Sequence, residues 1–257
     1  MMRIRVLGCG DSGGIPRLGN DWGRCDPKNP KNNRTRMSVA IESEGERWLI
    51  DTSPDLKHQL LRESIDQVDG LFFTHSHADH VLGLDELRVL YFLHKKSLPV
   101  YGDPQTLRVL RSMFGYLFQE GALEGPAIYP QFLMPHEVTS PFQWQGMPII
   151  PFSQNHGYSQ SLGYRFPAWA YSTDVVTLDD TAFSVLQGLK VWFVDCIGYD
   201  PKPSHSHLDQ TLDWIDRLKP ERAILIHMSK FLDYEELSSK LPPRVEPAYD
   251  GMVVEID

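Results

Sequence analysis

The sequence has 257 residues, 41% of them hydrophobic and 23% charged, which suits a folded unit with a sizeable core and excludes a disordered chain. A net charge of −9 at pH 7 with no Lys/Arg block argues against a large nucleic-acid partner, because gripping many phosphates takes a basic stripe. No apolar run approaches the roughly 18 residues of a membrane helix, and the scattered Cys9, Cys25 and Cys196 form no Cys-x-x-Cys motif and suit a reducing cytoplasm.

From the start of the chain, Arg3, Ile4, Arg5 and Val6 alternate as a half-buried strand rather than as a leader peptide. Strands are predicted near 2–8, 37–43, 46–51, 69–74, 98–101, 147–152, 162–166, 168–173, 190–195, 221–227 and 252–256. Helical spacing predicts helices over 54–63, 84–94, 104–118, 178–187, 207–218 and 233–240. In 207–218, Leu208, Leu212, Ile215 and Leu218 form an apolar face opposite Asp209, Asp213, Asp216 and Arg217, the pattern of a surface helix. Strand clusters followed by helices, twice over, predict an α/β (α+β) fold: a four-layer αββα sandwich of two mixed sheets, in a single domain over 1–257. Cys9–Arg36 and Glu120–Pro141 lack periodicity and read as long irregular segments, each a candidate for covering a pocket.

The chemistry concentrates where the strand Leu71-Phe72-Phe73-Thr74 runs into His75-Ser76-His77-Ala78-Asp79-His80. Imidazoles and carboxylates at that density are costly to bury unless they bind something. Neutral imidazole with carboxylate suits zinc, manganese or iron. Alternation would send His75 and His77 to one side and leave Asp79 and His80 to turn towards the other, enough for two adjacent ions. His156, Asp174 and His227 each follow a predicted strand and complete the ligand set. Asp51, ending Arg47-Trp48-Leu49-Ile50, reads either as a turn former or as an acid that orients a ligating imidazole.

The run Thr74–His80 with the later His156, Asp174 and His227 resembles the signature of the metallo-β-lactamase superfamily over nearly the whole chain. The resemblance implies one divalent ion on His75, His77, His156 and Asp174. It implies a second on Asp79, His80, His227 and the same Asp174, about 3.5–4 Å away, with a bridging water of pKa near 7 as nucleophile. Zinc and manganese are the expected metals, with iron also compatible. His80–Arg88, Gly13-Gly14-Ile15-Pro16 and Tyr249-Asp250-Gly251-Met252 resemble the phosphodiesterase branch that includes ribonuclease Z and the PhnP-like cyclic-phosphate phosphodiesterases.

In that branch a histidine between the bridging Asp and the last ligand assists catalysis. His205 matches it, with His207 in reserve, as the donor of a proton to the leaving alkoxide; Asp79 counts among the catalytic residues as well. Arg34, Arg36, Asp85 and Arg88 are the expected substrate contacts, guanidinium pairing with phosphate. PhnP-like enzymes carry a further structural zinc on three close cysteines and a later histidine. Here Cys25 alone remains and Lys230 stands at the later position, so no structural zinc is expected. The resemblance implies a phosphodiesterase of small cyclic nucleotides or phosphoribosyl cyclic phosphates; composition adds a cytoplasmic setting without membrane or large nucleic-acid partner, and the oligomeric state is open, a homodimer being the commonest assembly. The alternatives are transfer-RNA 3′ processing, a thioesterase of glyoxalase II type, and a non-catalytic nucleotide-binding protein on the same fold.

Overall fold

A computed structural model describes residues 2–118 and 131–257; residues 120–130 of the irregular stretch noted above lie outside these. The strands form two seven-stranded sheets. The first comprises β1 (Met2–Gly8), β2 (Ser38–Ser43), β3 (Glu46–Ile50), β4 (Gly70–Phe72), β5 (Leu98–Gly102), β6 (Leu133–Glu137) and β14 (Val253–Ile256), in the order β14-β1-β2-β3-β4-β5-β6. The second runs β13 (Val245–Pro247), β12 (Arg222–Ile226), β11 (Val191–Asp195), β10 (Trp169–Ser172), β9 (Gln160–Arg165), β8 (Met147–Asn155) and β7 (Phe142–Trp144). Each sheet is antiparallel on one side and parallel on the other, so both are mixed as expected.

Alternation decides which residues meet. Val39, Ile41, Trp48, Ile50 and Phe72 face the second sheet, while Ala40, Leu49, Leu71 and Phe73 face helices α1 (Leu56–Arg62) and α4 (Pro104–Phe114). On the far side α5 (Asp180–Val185) and α6 (Leu208–Leu218) cover the second sheet through Phe183, Leu208, Trp214 and Leu218. That is the four-layer αββα sandwich. Among the described residues no helix is long and apolar enough to cross a membrane.

The structure differs from expectation at the sheet edges, over residues 84–94 and in the face that α6 buries. Strands β6, β7 and β13 were not legible because all three are sheet edges: β6 and β13 contain proline and charge, β7 has three residues, and edge strands lose the alternation that marks a central one. The histidine run follows the end of β4, as expected, and leads into the one-turn helix α2 (Ala78–Val81). Residues 84–94 divide into a 3₁₀ turn, Leu84–Leu87, and α3 (Arg88–His94). In α6 the buried face is Leu208, Thr211, Trp214 and Leu218, rotated from the predicted stripe because the Thr211 hydroxyl donates to the Asp195 carbonyl at 2.9 Å.

The 9–36 segment has little regular structure but is fastened to the stretch that follows β12. Met228 N donates to Cys9 O (2.9 Å), Asp11 N to Met228 O (3.1 Å) and Arg24 N to Lys230 O (2.8 Å). Asp233, the N-cap of α7 (Tyr234–Lys240), accepts from Asp26 N at 3.0 Å and Asn32 Nδ2 at 2.6 Å, and Lys230 is ion-paired with Asp21. Cys25 is buried with its Sγ against the Lys230 and Leu232 carbonyls. Asp233→Ala should therefore cost about 1–2 kcal/mol in denaturant unfolding and expose the 9–36 segment to limited proteolysis. Asp179→Ala, which removes only the cap of α5, should lower stability without exposing that segment; equal proteolysis of the two would refute the clamp.

Candidate metal centre

The C-terminal ends of β4, β10, β11 and β12 and the loop after β8 converge at one edge of the sandwich, each delivering one functional side chain or more. Three of the residues turn there with left-handed backbones: Asp51 (φ 62), Asp174 (φ 54) and His227 (φ 55). Asp and His tolerate that region better than most residues, though at some cost. The turn swings each side chain off its strand and into the space between the sheets.

Asp174 sits in the middle. Its Oδ1 lies 3.7 Å from His75 Nε2 and 3.4 Å from His156 Nε2. Its Oδ2 lies 3.1 Å from His80 Nε2 and 3.6 Å from His227 Nε2. The two oxygens thus face two sets of imidazoles. His77 Nδ1 approaches His156 Nε2 at 3.2 Å, and Asp79 Oδ2 approaches His80 Nε2 at 3.4 Å and His227 Nε2 at 3.6 Å. His75, His77, His156 and Asp174 form one group of ligand atoms, all within 4.8 Å of one another, and Asp79, His80, Asp174 and His227 form a second. The two groups match the two expected ligand sets residue for residue.

The donor set fits divalent metal. His75 Nε2, His80 Nε2 and His227 Nε2 are buried with no well-aligned hydrogen-bond partner, only Asp174 oxygens at 3.7, 3.1 and 3.6 Å, which costs about 1–3 kcal/mol for each group unless charge pairing or a cation offsets it. All three point at Asp174. A cation shared through that carboxylate would satisfy them together.

Supporting contacts hold the ligands in place. Asp51 Oδ2 pairs with His80 Nδ1 at 2.7 Å and its carboxylate also accepts from Thr74 N and Oγ1, both at 2.8 Å. These contacts hold the His80 ring with Nε2 turned towards Asp174, the arrangement by which a buried acid orients an imidazole. Thr173 Oγ1 donates to Asp174 Oδ2 at 2.6 Å, and His156 Nδ1 is held by the Ser204 carbonyl at 2.6 Å.

His205 is drawn into the same cluster, whereas His207 is not. The His205 ring stacks on His227, with centroids 4.7 Å apart, and its Nε2 lies 3.9 Å from Asp174 Oδ1. His207 is the N-cap of α6, its carbonyl accepting from Thr211 N at 2.9 Å. The residue that sequence reasoning missed is Asp195. Fully buried at the end of β11, it accepts from Val175 N at 3.0 Å and pairs with His205 Nδ1 at 3.0 Å through Oδ2. The only sequence signal was a carboxylate closing the apolar run Val191–Val194.

The expected substrate contacts divide. Arg34, at 1% exposure, lies under the 9–36 segment, donating to Ser229 O at 3.5 Å and Asn32 Oδ1 at 3.3 Å, and borders the same cavity as Arg36. Arg36 is paired with Asp55 at 2.8 and 2.7 Å. Those hydrogen bonds, and to a lesser degree the Asp79 charge, raise its pKa, and it lines a cavity of about 650 Å³ under the loop. Asp85 holds Arg88 Nε at 3.1 Å and Tyr116 OH at 2.6 Å, a local network among helices outside the metal-ligand groups.

Without metal the charges within the centre balance one another. Burial opposes the imidazolium form of His227, but Asp174, Asp79 and Asp195 outweigh it and raise the pKa to about 9. His80 is raised likewise, against burial, by Asp174, Asp79 and Asp51. Burial lowers His75, as does the charge on His80. Asp174 is held low by His227, His80 and His75 in spite of burial.

The chain matches the Beta-lactamase superfamily domain over residues 46–228. It is 34% identical to a solved diphosphatase of the PhnP family, covering 100% of this chain and 98% of that one with a TM-score of 0.91. An octanoyltransferase of Porphyromonas gingivalis is 32% identical over the whole chain but 52% of its own length. A ribonuclease Z of Methanococcus maripaludis is 26% identical over 55% of the chain and 44% of its own length. The chain thus spans about half the length of the curated relatives it matches. Zinc-bound PqqB from Methylobacterium extorquens shares the fold at 15% identity, with coverage of 99% and 100% and a TM-score of 0.76.

Two predictions follow from this charge balance. A ligating imidazole must be neutral, and His227 is protonated at pH 7 in the metal-free protein, so zinc loading should release protons and apparent affinity should climb as pH rises towards about 9. A titration in weak buffer with no pH change would contradict it. Asp174→Ala should abolish binding at both positions, read as metal per chain after dialysis; retention of one ion would show that the carboxylate is not shared.

Proposed function

This chain belongs to the beta-lactamase superfamily, within the branch of PhnP-family diphosphatases and ribonuclease Z, and on that footing we propose that it hydrolyses a phosphorus–oxygen bond in a small phosphodiester or diphosphate. The observation that carries the reading is Asp174, whose two carboxylate oxygens each face a separate set of imidazoles, the arrangement a two-metal phosphohydrolase requires. His75, His77, His156 and Asp174 would hold one divalent ion, and Asp79, His80, His227 and Asp174 the other. Bound there, the ions would supply Lewis acidity towards phosphoryl oxygen and acidify water at neutral pH.

The chain's own residues supply the rest. Asp195 anchors His205 through Nδ1, leaving Nε2 as the nitrogen that faces the centre and hands a proton to the departing oxygen. An alkoxide needs that proton far more than a phosphate or nitrophenolate does. The narrower substrate, a cyclic nucleotide or sugar cyclic phosphate, rests on the PhnP-like resemblance. The diphosphate reading draws support from the full-length likeness to a PhnP-family diphosphatase at 34% identity.

Protein stripped of metal and reloaded with zinc or manganese should turn over bis-p-nitrophenyl phosphate, together with either 2′,3′-cyclic AMP or a dinucleoside diphosphate, at about two metals per chain. Two bound metals with no turnover of any of the three would overturn the reading. His205→Ala should keep its metal and lose about 10²–10⁴-fold in kcat on an alkyl phosphodiester, with a much smaller loss on the nitrophenyl ester. Equal losses on both would rule out proton donation to the leaving group.

A further inference from the structure

A cavity of about 400 Å³ opens beside the metal centre, walled by His75, Ser76 and His77 on one side. Its other walls are the start of α4, with Asp103, Gln105 and Thr106, and the β8–β9 hairpin, with Ser153, Ser159 and Gln160. Its volume falls within the range of small-ligand pockets. It lies on the His75 and His77 side of Asp174, with His156 standing between His77 and His205.

The lining has a definite chemical character. Among the described residues it contains no Lys or Arg, so none of these matches a phosphate. Its one carboxylate, Asp103, is occupied as the cap of α4, accepting from Gln105 N at 2.9 Å and Thr106 N at 3.1 Å, with Thr106 Oγ1 on its other oxygen. Apart from the two ligand imidazoles no aromatic ring lines it, and Leu162 is its one fully apolar side chain among the described residues, so it offers no platform on which a base would stack.

What remains are amides and hydroxyls. Gln105 Oε1 accepts from Arg108 Nη1 at 2.6 Å, and because guanidinium can only donate, the Gln105 NH₂ is the end left for the cavity. Gln160 Oε1 likewise takes the Ser153 hydroxyl at 3.1 Å, which leaves its NH₂. With Ser76 and Ser159 these make a donor-rich surface whose one charged group is the capped Asp103.

We infer that this cavity is a subsite for an uncharged, hydroxyl-bearing unit, a sugar, carried on the part of the substrate that is not expelled. The inference rests on the phosphohydrolase reading above and deepens it: the phosphoryl group lies over the metal centre, the leaving oxygen faces His205, and the sugar of the retained portion extends past His77 towards Gln105 and Gln160. Amide donors bind sugar hydroxyls through several modest hydrogen bonds, so selectivity comes from their number.

The test uses two diesters with the same leaving group, ribose 5-(p-nitrophenyl phosphate) and methyl p-nitrophenyl phosphate, assayed on metal-loaded protein and on the Q105L/Q160L double variant. Both positions are exposed, so folding is not at stake, which the thermal transition checks. In the unaltered protein kcat/KM should favour the ribose ester, and the double variant should reduce that preference about five- to tenfold, chiefly through KM. A preference unchanged by the substitutions would overturn the subsite. Binding of D-ribose, followed by saturation-transfer NMR, separates the two hypotheses. No turnover of either ester sinks the phosphohydrolase reading, and the subsite then stands if ribose binding is present and lost in the double variant, and falls if ribose does not bind.

Discussion

Asp174 is the point at which the rest of the structure meets. A buried carboxylate flanked by four imidazoles is stable only if something positive lies between them. In the metal-free protein the protonated His80 and His227 fill that need, and in the loaded protein divalent ions would replace those protons. Either way the geometry around Asp174 must be held by groups that do not themselves bind metal. Asp51 on His80, Thr173 on Asp174 itself and the Ser204 carbonyl on His156 do this.

The two sheets explain why these groups meet at all. Parallel strands β4, β10, β11 and β12 end at the same edge, and crossover connections leave their C-terminal ends open while helices cover the faces. Each strand stops where its last residue is needed. Left-handed turns at Asp51, Asp174 and His227 redirect the side chains inwards, a local strain that the rigid core sustains. The clamp between the 9–36 segment and residues 228–236 fixes the stretch immediately beyond His227, so a loop without regular structure still helps set the position of a ligand.

Around the centre the surroundings are asymmetric. On one side Asp195 and His205 form a hydrogen-bonded pair; on another a cavity lined by amides and hydroxyls adjoins His75 and His77; under the loop a third region carries Arg36 with its partner Asp55. The His/Asp groups belong to a widely shared scheme, and on such a scheme the surrounding residues are where substrates are told apart.

The ligand set and the layered fold were legible because both are written in local patterns: a dense His/Asp run closing an apolar strand, and alternation that marks central strands. Edge strands β6, β7 and β13 escaped because proline, charge and short length erase that alternation. Asp195 escaped because a single aspartate at a strand end looks like any other until its partner, ten residues on, folds back against it. The near-complete burial of Arg34 and its contacts with Ser229 and Asn32 were not legible either, since nothing local in the sequence marks an arginine as buried. The sequence by itself determined which side chains could bind metal, because imidazole and carboxylate carry that chemistry in any setting. Only the tertiary structure decided which oxygen of Asp174 faces which imidazoles, which histidine joins the centre and what lines the cavity beside it, because those depend on where strand ends from two separate sheets come to rest against each other.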